Sequence, residues 1–272
     1  MPKAKYASLP YILWSLVFVV APLALVVVFA LTTPDGGFTI ANVTKVAEYT
    51  PVFLRSLWLA VLATAACLLA GYPLAFIMSR QGGISQRTLV MLIMLPMWIN
   101  FLLRTYSWMT LLENNGIINS LLGFFGLGPF RMINTQGAVV LGMVYNYLPF
   151  MILPLYSIMT KIDGRVIEAA QDLGANSFQV FLRVVLPLSV PGITTGITMV
   201  FVPAISTFII SRMLGGGANM MIGDLIDAQF LGNAYNPNLG AAISLVLMIF
   251  VLLIMSMLNM FEDSEDKEGL IL

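Results

Sequence analysis

The run LRSLWLAVLATAACLLAGYPLAFIMS, residues 54–79, decides what kind of fold this chain can adopt. A helix needs about 20 apolar residues to cross a bilayer, and this run is longer than that with Arg55 as its only charge. Its apolar residues are continuous rather than alternating, which is typical of a helix and not of a strand in a membrane barrel. We therefore expect residues 54–79 to form a membrane-spanning helix.

Comparable runs recur on both sides of it, so the sequence predicts an all-α integral membrane protein with six membrane-spanning helices in a single domain, residues 1–272. The predicted spans are 9–31, 54–79, 88–112, 136–158, 186–212 and 239–261. The first span follows Lys3 and Lys5, as a signal peptide would, but it is too long for one and no small-x-small cleavage site follows. We expect this span to be retained.

The composition excludes several classes of function. Hydrophobic residues make up 59% of the chain and charged residues 10%, whereas soluble domains carry about 25% charged residues. The 13 basic and 13 acidic residues balance, so nothing favours a nucleic-acid partner. With no histidine and a single cysteine, Cys67, the chain can form neither an internal disulfide nor a Cys/His zinc site nor a Ser-His-Asp unit. It has no Gly-Lys pair and therefore no phosphate-binding P-loop.

The basic residues predict the orientation in the membrane. Six spans place both termini on one side. The segments between the spans that share this side, together with the termini, hold Lys3, Lys5, Arg80, Arg87, Lys161, Arg165, Arg183 and Lys267, against Lys45, Arg55, Arg104, Arg131 and Arg212 on or near the other side. Because basic residues are retained in the cytoplasm, we expect both termini to be cytoplasmic.

The predicted cytoplasmic link 159–185 contains the sequence KIDGRVIEAAQDLGANSF from Lys161. Asp163 is a good N-cap, and Gly174 suits the position after a helix C-terminus. The helix between them is too short to be stable alone in water, so it needs a docking surface. Asn176 can cap a second short helix that runs through Pro187 into the fifth span, which would let this link transmit a rigid-body movement.

The spacing in this link resembles a known motif. Glu168-Ala169-Ala170, three residues, Gly174, nine residues and then Val184-x-Leu186-Pro187 is similar to the EAA loop of ABC-importer permeases, with Val184 where that family favours isoleucine. The resemblance implies the type I ABC-importer (MetI-like) permease fold. It also implies that the link is a coupling loop that docks into an ATPase subunit. The coupling residues would be Glu168, Ala169, Ala170, Asp172, Leu173 and Gly174.

Further stretches resemble the spermidine/putrescine permeases of the PotB type, over roughly residues 52–260. They are GYPLAF at 71–76, LPMWINFLLRTY at 95–106, LPFMILPLY at 148–156 and LGGGANMMIG at 214–223. This resemblance implies ATP-driven polyamine import across a bacterial inner membrane by alternating access. The implied partners are a homologous but distinct second permease, two ATPase subunits that hold ATP and Mg, and an extracytoplasmic binding protein. This chain itself would carry no cofactor.

Other functions remain open. The cargo of the same architecture could be an amino acid, another organic cation or an oxyanion. An ion-coupled secondary transporter is disfavoured, because the acidic residues lie outside the predicted spans or at their margins. A membrane-embedded enzyme is disfavoured because no carboxylate pair, metal cluster or activated nucleophile is visible.

A path for a polycation needs oxygen acceptors and aromatic faces. The candidates inside the spans are Trp98, Asn100, Tyr106, Trp108, Tyr145, Asn146, Tyr147 and Tyr156. Asn100 and the cluster at 145–147 are the better candidates, because an amide in hydrocarbon needs a partner or a cavity. Asp224 and Asp227 lie one turn apart if helical, and they would either receive a cation from a binding protein or remain solvated loop charges. Arg104 is the only charge well inside a span. It would snorkel outward, line the cavity or pair with an acid across the subunit interface, acting there as a gate or a strut.

Overall fold

The computed structural model of the chain describes residues 9–232 and 234–268, and it describes side chains for residues 10–232 and 234–258. This part of the chain contains helices and no strand. The helices are α1 (Leu9–Ser15), α2 (Ala21–Ala30), α3 (Ala41–Lys45), α4 (Thr50–Ser79), α5 (Gly83–Met94), α6 (Phe101–Leu112), α7 (Ile117–Phe124), α8 (Gln136–Met159), α9 (Gly164–Asp172), α10 (Ser177–Val180), α11 (Leu186–Leu188), α12 (Val190–Ser206), α13 (Ile209–Gly215), α14 (Ile222–Leu231) and α15 (Pro237–Glu268). The chain termini, which the sequence predicts to be cytoplasmic, lie outside the described residues together with Lys3 and Lys5.

Four stretches of helix are long and apolar enough to cross a membrane: Pro10–Ala30, Ala41–Ser79, Gln136–Met159 and Pro237–Leu258. Two bent pairs of helices pass the same test together, namely Gly83–Trp98 with Phe101–Phe124 and Ser177–Leu188 with Val190–Ser206. The described residues therefore supply six spans when each bent pair counts as one.

The third predicted span, residues 88–112, is not one straight helix. Its two halves meet at an angle of 86°, because Ile99 and Asn100 leave the helical conformation. The side chain of Asn100 accepts a hydrogen bond from the Leu102 N–H at 2.8 Å and so caps α6. Hydropathy does not reveal this break, since the residues around it are apolar on both sides.

The fifth predicted span, residues 186–212, is interrupted twice. A bend of 65° lies at Ser189, between α11 and α12. The second break is at Thr207, whose backbone is extended, and α13 begins two residues later. Pro191 in the first turn of α12 fits the first interruption, because proline suits a helix start and lacks the N–H that a continuing helix would use.

The chain divides into two compact units, Met1–Phe53 with Leu225–Leu253 and Leu54–Asp224 with Ile254–Leu272. In the first unit, the amide of Asn238 donates to the carbonyl oxygens of Phe29 at 3.0 Å and Thr32 at 2.8 Å. The amide of Asn42 donates to the same Thr32 oxygen at 2.9 Å. These bonds satisfy carbonyls at the end of α2 that have no partner within the helix.

In the second unit, α8 and α12 pack closely because small residues line their contact. A Cβ at Gly196 would lie 2.7 Å from the Met151 sulfur, and one at Gly192 would lie 3.2 Å from the Leu155 Cα. Met151 and Leu155 are fully buried. Cys67 is buried as well, with its sulfur 3.9 Å from the Val144 carbonyl oxygen, so it serves packing.

Candidate functional site

Helix α9 carries most of the predicted coupling residues, and its own side chains define its ends. The Asp163 carboxylate accepts a hydrogen bond from the Arg165 N–H at 3.0 Å. After the helix, Gly174 has a φ of +86°, a left-handed conformation that glycine adopts without steric cost. The Gly174 N–H donates to Gln171 at 2.8 Å, and the Ala175 N–H donates to Ala170 at 3.1 Å. Both caps are those that the sequence predicts.

No residue of α9 is buried in this chain. Glu168, Ala169 and Asp172 are exposed, and Ala170 is half-buried. Leu173, which follows the helix directly, is 90% exposed. Leu173 thus places an apolar side chain at the end of a polar helix, outside the packed part of this chain.

A groove of about 390 Å³ runs between α9 and the segment that follows it. Its lining residues are Ala170, Leu173, Gly174, Ala175, Gln179, Val180, Arg183 and Val184. Three of the predicted coupling residues therefore belong to one concave surface, while Glu168, Ala169 and Asp172 lie outside its lining.

The segment after α9 is continuous with the fifth span. Asn176 and Gln179 form a reciprocal capping box, with two hydrogen bonds of 2.9 Å between side chain and backbone. From α10 the chain passes through one turn of π-helix, Phe181–Val185, and through α11 to the bend at Ser189. A displacement of α9 therefore reaches α12 along an ordered chain of helices.

The predicted pathway residues are not brought together in one cavity. Trp98 and Tyr106 are exposed, and Asn100 serves as the cap of α6. The Tyr145 ring meets the Trp108 ring edge to face, at 5.4 Å between centroids. Asn146 is buried and donates to the Gly142 carbonyl at 2.8 Å, while its Oδ1 has no hydrogen-bond partner among the described residues.

Of the predicted pathway residues, Tyr147 lines a cavity of about 210 Å³ that lies where two predicted spans are broken, and sequence reasoning did not name the other residues of this cavity. Its lining residues are Phe101, Tyr147, Pro203, Ser206, Thr207, Phe208 and Ile209. Phe101 opens α6 directly after the first break, and Phe208 follows the end of α12 at the second. The cap residue Asn100 and the polar pair Ser206-Thr207 inside apolar runs were the available signals.

Arg104 does not snorkel towards a surface, which corrects one of the three readings that the sequence allowed. The residue is 8% exposed, and its Nε and Nη1 are buried without a hydrogen-bond partner in the described chain. Its guanidinium carbon lies 5.9 Å from the centroid of the Phe101 ring. An arginine remains charged even when buried, so the guanidinium is a buried charge with two nitrogens that have no hydrogen-bond partner in the described chain.

Asp224 is not a solvated loop charge. It is 5% exposed, and its Oδ2 accepts a hydrogen bond from the Met221 N–H at 2.9 Å. Its Oδ1 lies 3.8 Å from the Arg212 Nε. Asp227 lies one turn further along α14, as predicted, and is half-buried.

The family model described as "Binding-protein-dependent transport system inner membrane component" matches residues 68–264 of this chain. The match covers the coupling loop and every residue of the cavity at the helix breaks.

The chain is 41% identical to the spermidine/putrescine transport system permease protein PotB of Haemophilus influenzae over 253 residues, 88% of each chain. It is 38% identical to the PotB protein of Escherichia coli over 246 residues, which are 87% of this chain and 89% of that protein.

Among solved structures, the chain resembles a bacterial ABC transporter involved in the import of the acidic polysaccharide alginate, with a TM-score of 0.76 and 19% identity. The alignment covers 96% of this chain and 95% of that one. The alginate transporter in complex with a periplasmic protein bound to an alginate pentasaccharide gives a TM-score of 0.75, also at 19% identity. This likeness concerns the fold.

Proposed function

The chain belongs to the family of binding-protein-dependent transport system inner membrane components, and from this premise we propose that it is the membrane-spanning subunit of an ATP-driven importer of polyamines. The assignment of polyamines as the transported substrate rests on the 41% identity to a spermidine/putrescine permease over 88% of both chains. The aromatic faces of Phe101, Tyr147 and Phe208 around one cavity fit a cation with apolar spacers.

The α9 segment is the surface through which ATP binding and hydrolysis on the ATPase move this chain. Its capped helix, its fully exposed Leu173 and the adjacent groove support docking onto a separate ATPase subunit. ATP and Mg bind on that ATPase and not on this chain, which has no P-loop. The assembly comprises this chain, a homologous second permease, two ATPase subunits and an extracytoplasmic binding protein.

The proposed orientation in the bacterial inner membrane places α9 and both termini in the cytoplasm. The basic residues Lys161, Arg165 and Arg183 of the coupling loop support it. In this orientation α9 faces the compartment that supplies ATP, and Asp227 lies towards the side from which a binding protein would deliver its cargo.

Transport proceeds by alternating access. ATP binding draws the two ATPase subunits together, and the two coupling helices move with them. This movement closes the cavity to the cytoplasm and opens it to the outer side of the membrane. ATP has this effect because it binds one of the two states more tightly, and the size of that preference limits how far the populations shift.

The decisive experiment is uptake of radiolabelled spermidine into vesicles that contain this chain, its partner permease and the ATPase, with the binding protein outside. We expect uptake that requires enclosed ATP and stops when the ATPase P-loop lysine is replaced. An amino acid and an oxyanion serve as competing cargoes in the same assay. ATP-dependent uptake of one of these but not of spermidine would overturn the polyamine assignment, and uptake driven by an ion gradient alone would overturn the ATP-driven mechanism.

A further inference from the structure

The bend at Ser189 joins the coupling loop to the fifth span. The arm Ser177–Leu188 and the arm Val190–Ser206 meet there at 65°. Ser189 is fully buried. Its hydroxyl donates to the Leu186 carbonyl at 2.9 Å, and its Oγ also lies 2.8 Å from the hydroxyl oxygen of Tyr72. Because a serine hydroxyl carries one proton, Tyr72 is the donor to Ser189.

Tyr72 also contacts the arm before the bend. Its ring meets the Phe181 ring edge to face, at 5.5 Å between centroids and an interplanar angle of 82°. Phe181 begins the π-helical turn that leads to Ser189. One side chain of α4 therefore holds the bend through its hydroxyl and the arm before it through its ring.

The backbone that bears Tyr72 is held in place by close packing of α4 against α8. The neighbouring Gly71 packs against α8, where a Cβ at Gly71 would lie 3.1 Å from the Met151 Cγ. The same Met151 packs against Gly196 of α12. Helices α4 and α12 are thus both held on α8, whereas the arm Ser177–Leu188 leads away to α9, which no described residue buries.

We propose that Tyr72 is a positioning residue for energy coupling, because it holds the bend at Ser189 at a fixed angle. This inference rests on the proposed function. With the bend held, a displacement of α9 moves α12 and the cavity at its far end. Without the Tyr72 hydroxyl, the bend flexes and absorbs the displacement, so ATP is hydrolysed with less transport.

The first test measures the bend directly and does not depend on the cargo. Spin labels on cysteines introduced at the exposed positions Phe178 and Thr195, in a Cys67→Ala background, report the distance across the bend in the full chain reconstituted in lipid. We expect a broader distance distribution in Tyr72→Phe and in Ser189→Ala than in the parent chain. Tyr235→Phe, which changes an exposed tyrosine outside the predicted pathway, is the matched control and should leave the distribution unchanged.

The second test measures spermidine imported per ATP hydrolysed by the whole complex. One lost hydrogen bond corresponds to a reduction of about fivefold. Ser189→Ala should cause at least the reduction seen in Tyr72→Phe, because it also removes the bond to the Leu186 carbonyl. Adding Tyr72→Phe to Ser189→Ala should cause no further reduction, since the Tyr72 hydroxyl acts through Ser189. An unchanged distance distribution, an unchanged ratio or reductions that multiply in the double variant would overturn the proposal. Failure of the parent complex to import spermidine would count against the proposed function, and the spin labels would still decide the role of Tyr72.

Discussion

Helices α9 and α12 are joined through one bend, yet they are held in place by different means. Helix α9 has nine residues, none of them buried, and its ends are closed by Asp163 and Gly174. Helix α12 has 17 residues and is held by its neighbours, with Gly192 and Gly196 in close contact with α8. In the proposed assembly the first helix meets the ATPase, whereas the second is held by its own chain. Substitutions in α12 should therefore impair folding, and substitutions in α9 should impair assembly.

The largest effect is expected at Gly196, because any side chain there meets the Met151 sulfur. Gly196→Leu should lower the free energy of unfolding by about 3 kcal/mol, as overpacking of a close contact does. The measurements are the yield and melting temperature of the purified chain in detergent. Gly123→Leu is the control, since no atom lies within 4 Å of a Cβ built there. A melting temperature equal to that of the parent would contradict the close packing of α8 and α12.

Reversing the charge at Glu168 should leave the fold intact and weaken assembly. If Glu168 faces a basic group on the ATPase, an arginine here brings two like charges together at a cost of about 3 kcal/mol, and the ATPase should bind more than about 100-fold more weakly. The amount of ATPase that co-purifies with Glu168→Arg measures this effect. Glu113→Arg changes an exposed acid in the predicted external loop and should not alter co-purification. Normal assembly of the Glu168 variant would remove α9 from the coupling interface.

Truncation of Leu173 should have a smaller effect of the same kind. Leu173→Ala is expected to weaken ATPase binding about fivefold, the loss of one apolar interface contact, with an unchanged melting temperature of the chain alone. Leu231→Ala is a close match, because Leu231 is 84% exposed and lies on a different helix. If both variants bound the ATPase like the parent, the exposure of Leu173 would have no bearing on docking.

Replacement of Arg104 should have opposite effects on the stability of the isolated chain and on transport by the complex. A buried charge left without a partner destabilises a chain by about 3–5 kcal/mol. Arg104→Met should therefore raise the melting temperature of the isolated chain and lower transport by the assembled complex, if Arg104 pairs there with an acid across the subunit interface. Arg131→Met, at an exposed arginine, is the control. A lowered melting temperature would show that Arg104 is satisfied within its own chain.

The smallest effect is expected from the acidic residues of α14. Asp227→Asn should reduce spermidine uptake about twofold at limiting substrate, as the loss of one partly solvated charge would, with unchanged uptake at saturation. Asp224→Asn should instead reduce the amount of folded chain, because Asp224 is buried beside Arg212. Equal uptake by Asp227→Asn and the parent at every concentration would leave Asp227 as a structural charge.

The sequence predicted the features that depend on neighbouring residues and missed those that depend on distant ones. The caps at Asp163 and Gly174 follow from local chemistry, and both are present. The breaks at Asn100 and Thr207 lie in runs whose apolar character continues on both sides, so hydropathy could not place them. The burial of Arg104 and the pairing of Asp224 with Arg212 depend on how helices pack, which side-chain type alone does not determine.

The exposure of Leu173 has a consequence for the life of the protein in the cell. A newly made chain without its ATPase shows a bare leucine, with Phe178 exposed nearby, to chaperones and proteases. Subunits left over from unequal synthesis would be removed first at this surface. In the proposed assembly, this removal would keep the number of permease subunits close to the number of ATPase subunits.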